Sequence, residues 1–292
     1  MHSFRLIAVS LVAGSTLLAL SAEARTLIQN KGSDTLVNVA QAWAETYPTV
    51  NPEVAVAVSG GGSGTGIAAL INGTVDIANA SRPMKDKEIA AAKANGQDPK
   101  EFTVGYDALA VFLHKDNPAK SLSIGQLAEI YGEDGKYDTW TQLGIEVPGC
   151  QGQKIIRVSR QNNSGTYASF REHVLGEKRD YKLGSLDVNG SKEVVDLVEK
   201  TPCAIGYSGL AYETDHIKKV CVAKEDGGPC VVPTVETAID GSYAIARPLF
   251  MYTNGEPTGE IKKYLDWILS DAGQCIILDK GYAPVRPVSC KK

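Results

Sequence analysis

Val54-Ala55-Val56-Ala57-Val58-Ser59-Gly60-Gly61-Gly62-Ser63-Gly64-Thr65-Gly66-Ile67-Ala68-Ala69-Leu70 is the stretch whose reading decides the fold. An apolar, β-branched run feeds a glycine-rich turn, and the turn feeds a segment with helical apolar spacing. Strand, glycine turn and helix in that order bring backbone N–H groups to an anion. The glycines let backbone approach a ligand where a side chain would block it. Ser63 is placed to cap the helix and to donate its own hydroxyl. No lysine follows, so the turn is not a Walker A loop, and its glycine order does not fit a dinucleotide fingerprint. Taken alone, the turn reads equally as an anion site and as a surface loop. The surrounding chain has to decide.

Upstream, Leu27-Ile28 reads as a strand, and Gly32-Ser33-Asp34-Thr35 opens a helix through Trp43 and Tyr47. Downstream, Val75-Asp76-Ile77-Ala78 is a third strand, and residues 87–94 form a short amphipathic helix closed by Asn95-Gly96. This β-α-β-α-β order predicts a mostly parallel sheet with helices on both faces. Ligands of such sheets sit beyond the carboxyl ends of the strands.

Residues 104–113 form a long apolar strand that crosses into a second unit. There the pattern gives helices over 124–131, 165–175 and 193–199 and strands over 155–158 and 204–207. The chain then returns through a strand over 243–252 and two closing helices over 260–269 and 272–278. The expected fold class is α/β with two lobes, each a mostly parallel sheet flanked by helices, and the ligand between them. Lobe 1 is expected to be discontinuous, residues 25–113 and 230–292, and lobe 2 to span 114–229.

Residues 1–24 read as a signal peptide rather than as part of the fold. Arg5 supplies a positive start, residues 6–20 an apolar stretch, and Ala22-Glu23-Ala24 a cleavage signal, so the mature protein is expected to begin at Arg25. The expected location is the periplasm, without membrane insertion. The 292-residue chain has 43% hydrophobic and 22% charged residues, an ordinary soluble composition. Its formal net charge of -4, without a basic tract, argues against nucleic acid as a partner.

All six cysteines follow the signal segment, and an even number in an exported chain suggests disulfides. Cys221 with Cys230 would close a hairpin around Asp226-Gly227-Gly228-Pro229, Cys275 with Cys290 would tie down the C-terminal end, and Cys150 with Cys203 would remain. No C-x-x-C is present and the four histidines are scattered, so neither metal nor other cofactor is expected.

Three turns share one design: Ser33-Asp34-Thr35, Ser63-Gly64-Thr65 and Ser164-Gly165-Thr166. A single Ser or Asp before a helix is usually only an N-cap. Each helix start also offers free N–H groups and partial positive charge. Three of them converging from two lobes would replace the hydration shell of an oxyanion. Arg160 sits at the carboxyl end of its strand, and its planar fork suits a bidentate oxyanion. A surface salt bridge is the alternative for Arg160. It is the favoured reading for Arg82 in Ala80-Ser81-Arg82-Pro83.

Four segments now stand in a familiar order: Gly32-Ser33-Asp34-Thr35, the turn over 59–66, Asp76-Ile77-Ala78-Asn79-Ala80-Ser81-Arg82, and Arg160-Gln161-Asn162-Asn163-Ser164-Gly165-Thr166. In these the chain resembles the phosphate-binding proteins of phosphate ABC transporters over most of its mature length. The resemblance implies a two-lobed periplasmic-binding-protein fold, inorganic phosphate as ligand, and delivery to a membrane ABC permease; the chain is expected to act as a monomer. Carried over by position, Ser33, Asp34, Thr35, Ser63, Gly64 and Ser81 form the first-lobe side, and Arg160, Ser164, Gly165 and Thr166 the second. The pattern departs in places. Aspartates familiar from the family align with Ser81 and Asn162, and Asp34 stands where a hydroxyl residue is often found.

An enzyme is the competing class, with Ser63 or Ser164 as nucleophile of a secreted phosphatase or serine hydrolase. Neither lies in G-x-S-x-G, because Thr65 and Thr166 occupy the last place. A third reading is a non-transport phosphate-binding or adhesion protein on the same scaffold. Asp34 is the expected acceptor for the ligand's proton, against the plainer reading that it caps its helix. Asp76 is the fallback.

Overall fold

The computed structural model describes residues 25–176 and 178–290. The expected signal peptide lies outside them. The chain begins with β1 (Thr26–Gly32), a 3-10 turn (Asp34–Leu36), α1 (Val37–Thr46), β2 (Val54–Ser59), α2 (Ser63–Ile71), β3 (Ile77–Ala80) and α3 (Asp86–Ala94). β1 pairs in parallel with β2 on one side and β3 on the other, the arrangement that the β-α-β-α-β pattern predicts. The third strand starts two residues later than its apolar pattern suggested. Asp76 therefore precedes β3 and accepts the Gln29 N–H at 2.7 Å, which is a structural role.

The 16-residue β4 (Pro99–His114) is much longer than the apolar run that marked it. After it come β5 (Ser121–Ser123), α4 (Ile124–Tyr131), β6 (Ile156–Arg160) and α5 (Gly165–Phe170), the last continued by a π turn at Arg171–Leu175. Then follow β7 (Leu186–Val188), α6 (Ser191–Lys200), β8 (Ala204–Gly209), β9 (Ile217–Lys219), β10 (Cys221–Ala223), β11 (Cys230–Val231) and α7 (Val235–Ile239). β12 (Ala246–Asn254), α8 (Gly259–Leu269) and α9 (Asp271–Asp279) complete the chain.

One sheet runs through both lobes in the order β2-β1-β3-β12-β4-β8-β6-β7, with β9 also on β4. The outer strands are parallel, as expected, but the middle is antiparallel: β12 opposes both β3 and β4, and β4 opposes β8. The first part of β4, up to Ala108, pairs with β12, and Leu109 to Leu113 pair with β8. β4 thus takes part in both halves, and the chain passes between them again where it enters β12. The first core is built on Ile28, Leu36, Trp43, Tyr47 and Leu249, and the second on residues 108–113, Tyr131, Trp140, Phe170 and Tyr207. Ala238, Tyr243 and Ile245 pack in the second core.

Local sequence explains how α2 is seated. Gly61 and Gly62 take φ of 111° and 93°, a region that favours glycine, and so turn the chain out of β2. Ile67 and Leu70 are buried, and Gly66 lies against β1, where an added Cβ would overlap the Lys31 carbonyl oxygen. Backbone on both sides leaves no flexible side chain to yield. Gly66→Ala is expected to destabilise the protein by about 1–3 kcal/mol through overpacking. Denaturant unfolding checks this, and an unchanged midpoint would refute it.

The three disulfides are Cys150–Cys203, Cys221–Cys230 and Cys275–Cys290, as the spacing suggested. The second closes the hairpin of β10 and β11, which pair antiparallel. Among the described residues no helix is long and apolar enough to cross a membrane.

Candidate anion-binding site

β1 and β3 end side by side and deliver two serines. The Ser33 hydroxyl donates to Ser81 Oγ at 2.9 Å. The Ser81 N–H donates to Ser63 Oγ at 3.0 Å, and the two hydroxyls of Ser63 and Ser81 lie 3.3 Å apart. Ser63 is the first residue of α2, and the N-cap is Gly62, so the expectation that Ser63 caps this helix is corrected. Its hydroxyl turns into the serine cluster instead.

The second lobe meets this cluster directly. A Cβ at Gly165 would overlap the hydroxyls of both Ser63 and Ser81. Thr166 Oγ1 lies 2.9 Å from Thr35 Oγ1. Ser33, Thr35, Ser63, Ser81 and Thr166 are all at most 1% exposed. Two tyrosines hold the first of these turns from below: Tyr212 Oη donates to the Asp34 carbonyl at 2.5 Å, and Tyr282 Oη donates to the Thr35 carbonyl.

Arg160, at the end of β6, donates through Nη2 to Asp34 Oδ2 at 3.1 Å and to the Asn189 carbonyl at 2.7 Å. Its Nη1 donates to Ser191 Oγ at 3.0 Å. Its Nε is buried and has no partner among the described residues. Burial pulls the guanidinium pKa down while Asp34 pushes it back up, and arginine stays charged. Arg160 is therefore no surface salt bridge. Asp34 does not cap its own turn either: Oδ1 accepts the Gly61 N–H at 2.9 Å, so the carboxylate links the glycine turn to the other lobe.

The remaining candidates sit around this centre. The Gly64 N–H donates to the Asn163 carbonyl at 2.8 Å, and Asn163 Nδ2 donates to the Gly61 carbonyl at 3.0 Å. Ser164 caps α5, accepting the N–H groups of Thr166 and Tyr167 at 3.1 and 3.3 Å. Arg82 forms a two-pronged pair with Glu88, both contacts 2.8 Å, so the expected salt bridge is present, but Arg82 is buried rather than at the surface. A cleft of about 940 Å³ runs outward between residues 82–86 and Asn162, Tyr167 and Arg171.

Two central residues escaped the sequence reading. Arg247 on β12 donates from Nε and Nη2 to Asp107 Oδ2 on β4 at 3.1 and 2.8 Å. Nη2 also lies 3.1 Å from both Thr35 Oγ1 and Thr166 Oγ1. Burial raises the Asp107 pKa, and the Arg247 charge opposes that shift. A carboxylate inside the run Val104-Gly105-Tyr106-Asp107-Ala108-Leu109 was the available signal, since a buried charge has to be paired.

The whole is a dry set of hydroxyls framed by two Arg–Asp pairs. It suits a tetrahedral oxyanion better than covalent chemistry. Ser164 spends its oxygen on the helix cap, and His173 Nδ1 faces the Ser169 carbonyl at 2.8 Å rather than a serine hydroxyl. Among the described residues no group of three His, Cys, Asp or Glu side chains could hold a metal.

Known proteins share this architecture. A family model described as a PBP superfamily domain matches residues 19–272. The phosphate-binding protein PstS of Pseudomonas aeruginosa PAO1 is 35% identical over 270 residues, covering 88% of this chain and 83% of that protein. The chain belongs to this family of binding proteins. Protein SphX of Synechococcus elongatus is 31% identical, covering 89% of this chain and 78% of its own. A Clostridium perfringens structure, described as a phosphate ABC transporter substrate-binding protein with bound phosphate, superposes with a TM-score of 0.78. It is 31% identical and covers 89% of this chain and all of its own. An ABC-type phosphate transport receptor from Vibrio cholerae gives a TM-score of 0.68 at 27% identity, over 89% of this chain and 100% of that one. The Pseudomonas and Clostridium relatives are named as binding proteins and the Vibrio one as a transport receptor, none of them as an enzyme.

Proposed function

We propose that this chain captures inorganic phosphate between its two lobes and delivers it to an ABC permease, as an exported, monomeric binding protein without turnover. The observation that carries the reading is the meeting of Thr35 with Thr166, and of Ser63 and Ser81 with Gly165, across the lobes. Such a set offers O–H and N–H donors to an oxyanion and excludes water from it. The expected ligand set is Ser33, Thr35, Ser63, Ser81, Arg160, Gly165 and Thr166. Asp34 supplies the acceptor, and Gly64 and Ser164 hold the turns. Our reading places the return to the first lobe near Ala246, where β12 begins, rather than at Cys230; the packing of Ala238, Tyr243 and Ile245 with the second core supports it.

Residues contributed by both lobes imply that release needs the lobes to part by hinge motion. Calorimetry of the mature chain should show stoichiometric phosphate binding, with sulfate, arsenate and molybdate as comparators. Small-angle scattering should show compaction when phosphate is added to phosphate-stripped protein. No heat with phosphate would overturn the ligand assignment, and an unchanged radius of gyration would overturn lobe closure. Turnover of a phosphate ester that is lost in Ser63→Ala would favour the hydrolase instead.

A further inference from the structure

Arg247 and Asp107 face each other in register on β12 and β4, the antiparallel strands at the centre of the sheet. Two residues beyond Asp107, Leu109 pairs with Gly209 of the other lobe's β8. The pair therefore sits where β4 passes from one lobe to the other. Gly209 makes room for it: a Cβ there would lie 3.0 Å from Asp107 Oδ2 and 3.3 Å from Thr35 Cγ2. From this point Arg247 reaches Thr35 and Thr166, one in each lobe, and its Nη1 reaches the Ser81 carbonyl at 3.3 Å.

We propose that the Asp107–Arg247 pair is a positioning device that fixes the hydrogen-bonded hydroxyls of Thr35 and Thr166 so that one of their hydrogens is left as a donor toward the bound anion; this rests on the phosphate reading above. A guanidinium can only donate. Arg247 occupies the lone-pair side of both threonine oxygens, so both hydroxyl hydrogens point away from it. One of them bridges the 2.9 Å gap between the threonines. The other is left to a third acceptor, and a phosphate oxygen fits that need. An unrestrained hydroxyl would serve as donor or acceptor with equal ease. Asp107 takes both Nε and Nη2 and so fixes the plane of the guanidinium.

Charge supply does not account for the pair, because it is neutral as a unit. Stability does not account for it either. An apolar pair of similar volume is often as stable as a buried ion pair. What the apolar pair would lack is the direction imposed on the two hydroxyls.

The test pairs Asp107→Leu/Arg247→Met with thermal unfolding in the absence of phosphate and with phosphate calorimetry. The double variant should unfold within a few degrees of wild type and lose about 100-fold in phosphate affinity. Arg247→Lys, which keeps the charge but not the fork, should lose a similar factor. In a Thr35→Val/Thr166→Val background, where no hydroxyl remains to be oriented, Arg247→Lys should cost almost nothing further. Wild-type affinity in the folded double variant, or full affinity with lysine, would overturn the proposal. So would a loss from Arg247→Lys that is undiminished in the valine background. That comparison keeps the question answerable should the Leu/Met variant fail to fold. Failure of the wild-type protein to bind phosphate would mark the functional reading as wrong, a result separate from any of these.

Discussion

Arg160→Ala is expected to weaken phosphate binding by roughly 2–5 kcal/mol, the usual loss on truncating one partner of a buried charge pair. In affinity that is roughly 30- to 5,000-fold. Arg160 is 1% exposed, and three of its contacts are taken by Asp34, Asn189 and Ser191. Its Nε remains as a buried donor without a partner among the described residues, and a phosphate oxygen would satisfy it. Truncation would remove that donor and release Asp34, which would face the anion with only the Gly61 N–H to balance it. Fold should survive, because the Asp34 side chain is 15% exposed and can be solvated. Calorimetry of the folded variant decides. Unchanged affinity would remove Arg160 from the site.

The larger effect is expected in selectivity. Phosphate at neutral pH still carries at least one proton, and sulfate carries none. A site of donors alone would accept both anions. One ionised carboxylate gives phosphate a charge-assisted hydrogen bond and meets sulfate with repulsion. A site built around such a matched hydrogen bond can discriminate by roughly 10⁴-fold. Asp34 is our candidate for that acceptor. Each of its oxygens already takes one donor, from Gly61 and from Arg160, and each keeps a further lone pair. Asp34→Asn should lose phosphate affinity and narrow the gap to sulfate. The sulfate arm is essential, because an amide facing Arg160 also disturbs the arginine. Disturbing the arginine alone would weaken both anions alike. A variant that rejects sulfate as strongly as wild type would end Asp34's role as proton acceptor.

How far the sequence was legible follows from how local each signal is. The turn over 59–66 could be read because strand, glycines and helix are contiguous, and the structure keeps that order from β2 to α2. The cysteine pairs could be read because two of them span only 9 and 15 residues. The strand over 104–113 was found but its extent was not. Pro99-Lys100-Glu101-Phe102-Thr103 carries no continuous apolar run, and it becomes strand through pairing with β12, some 150 positions away along the chain. Arg247 and Asp107 were missed for the same reason: 140 residues separate them, and neither sits in a motif. Ser63 was misjudged as a cap because spacing cannot tell an N-cap from the first helical residue. The Asp34 carboxylate was legible as functional in type. Its partners, Gly61 and Arg160, come from tertiary contact alone.

The placement of the disulfides has a mechanical consequence. Cys150–Cys203 and Cys221–Cys230 lie wholly among residues 150–230, and Cys275–Cys290 joins α9 to the segment that follows it. No covalent cross-link bridges Thr35 to Thr166 or the glycine turn to Asn163. Oxidation after export can therefore stiffen each half as a body of its own without removing the rotation between them. What holds the two halves face to face is a handful of reversible polar contacts. A transport protein that must both grip and let go depends on that division between permanent and breakable bonds.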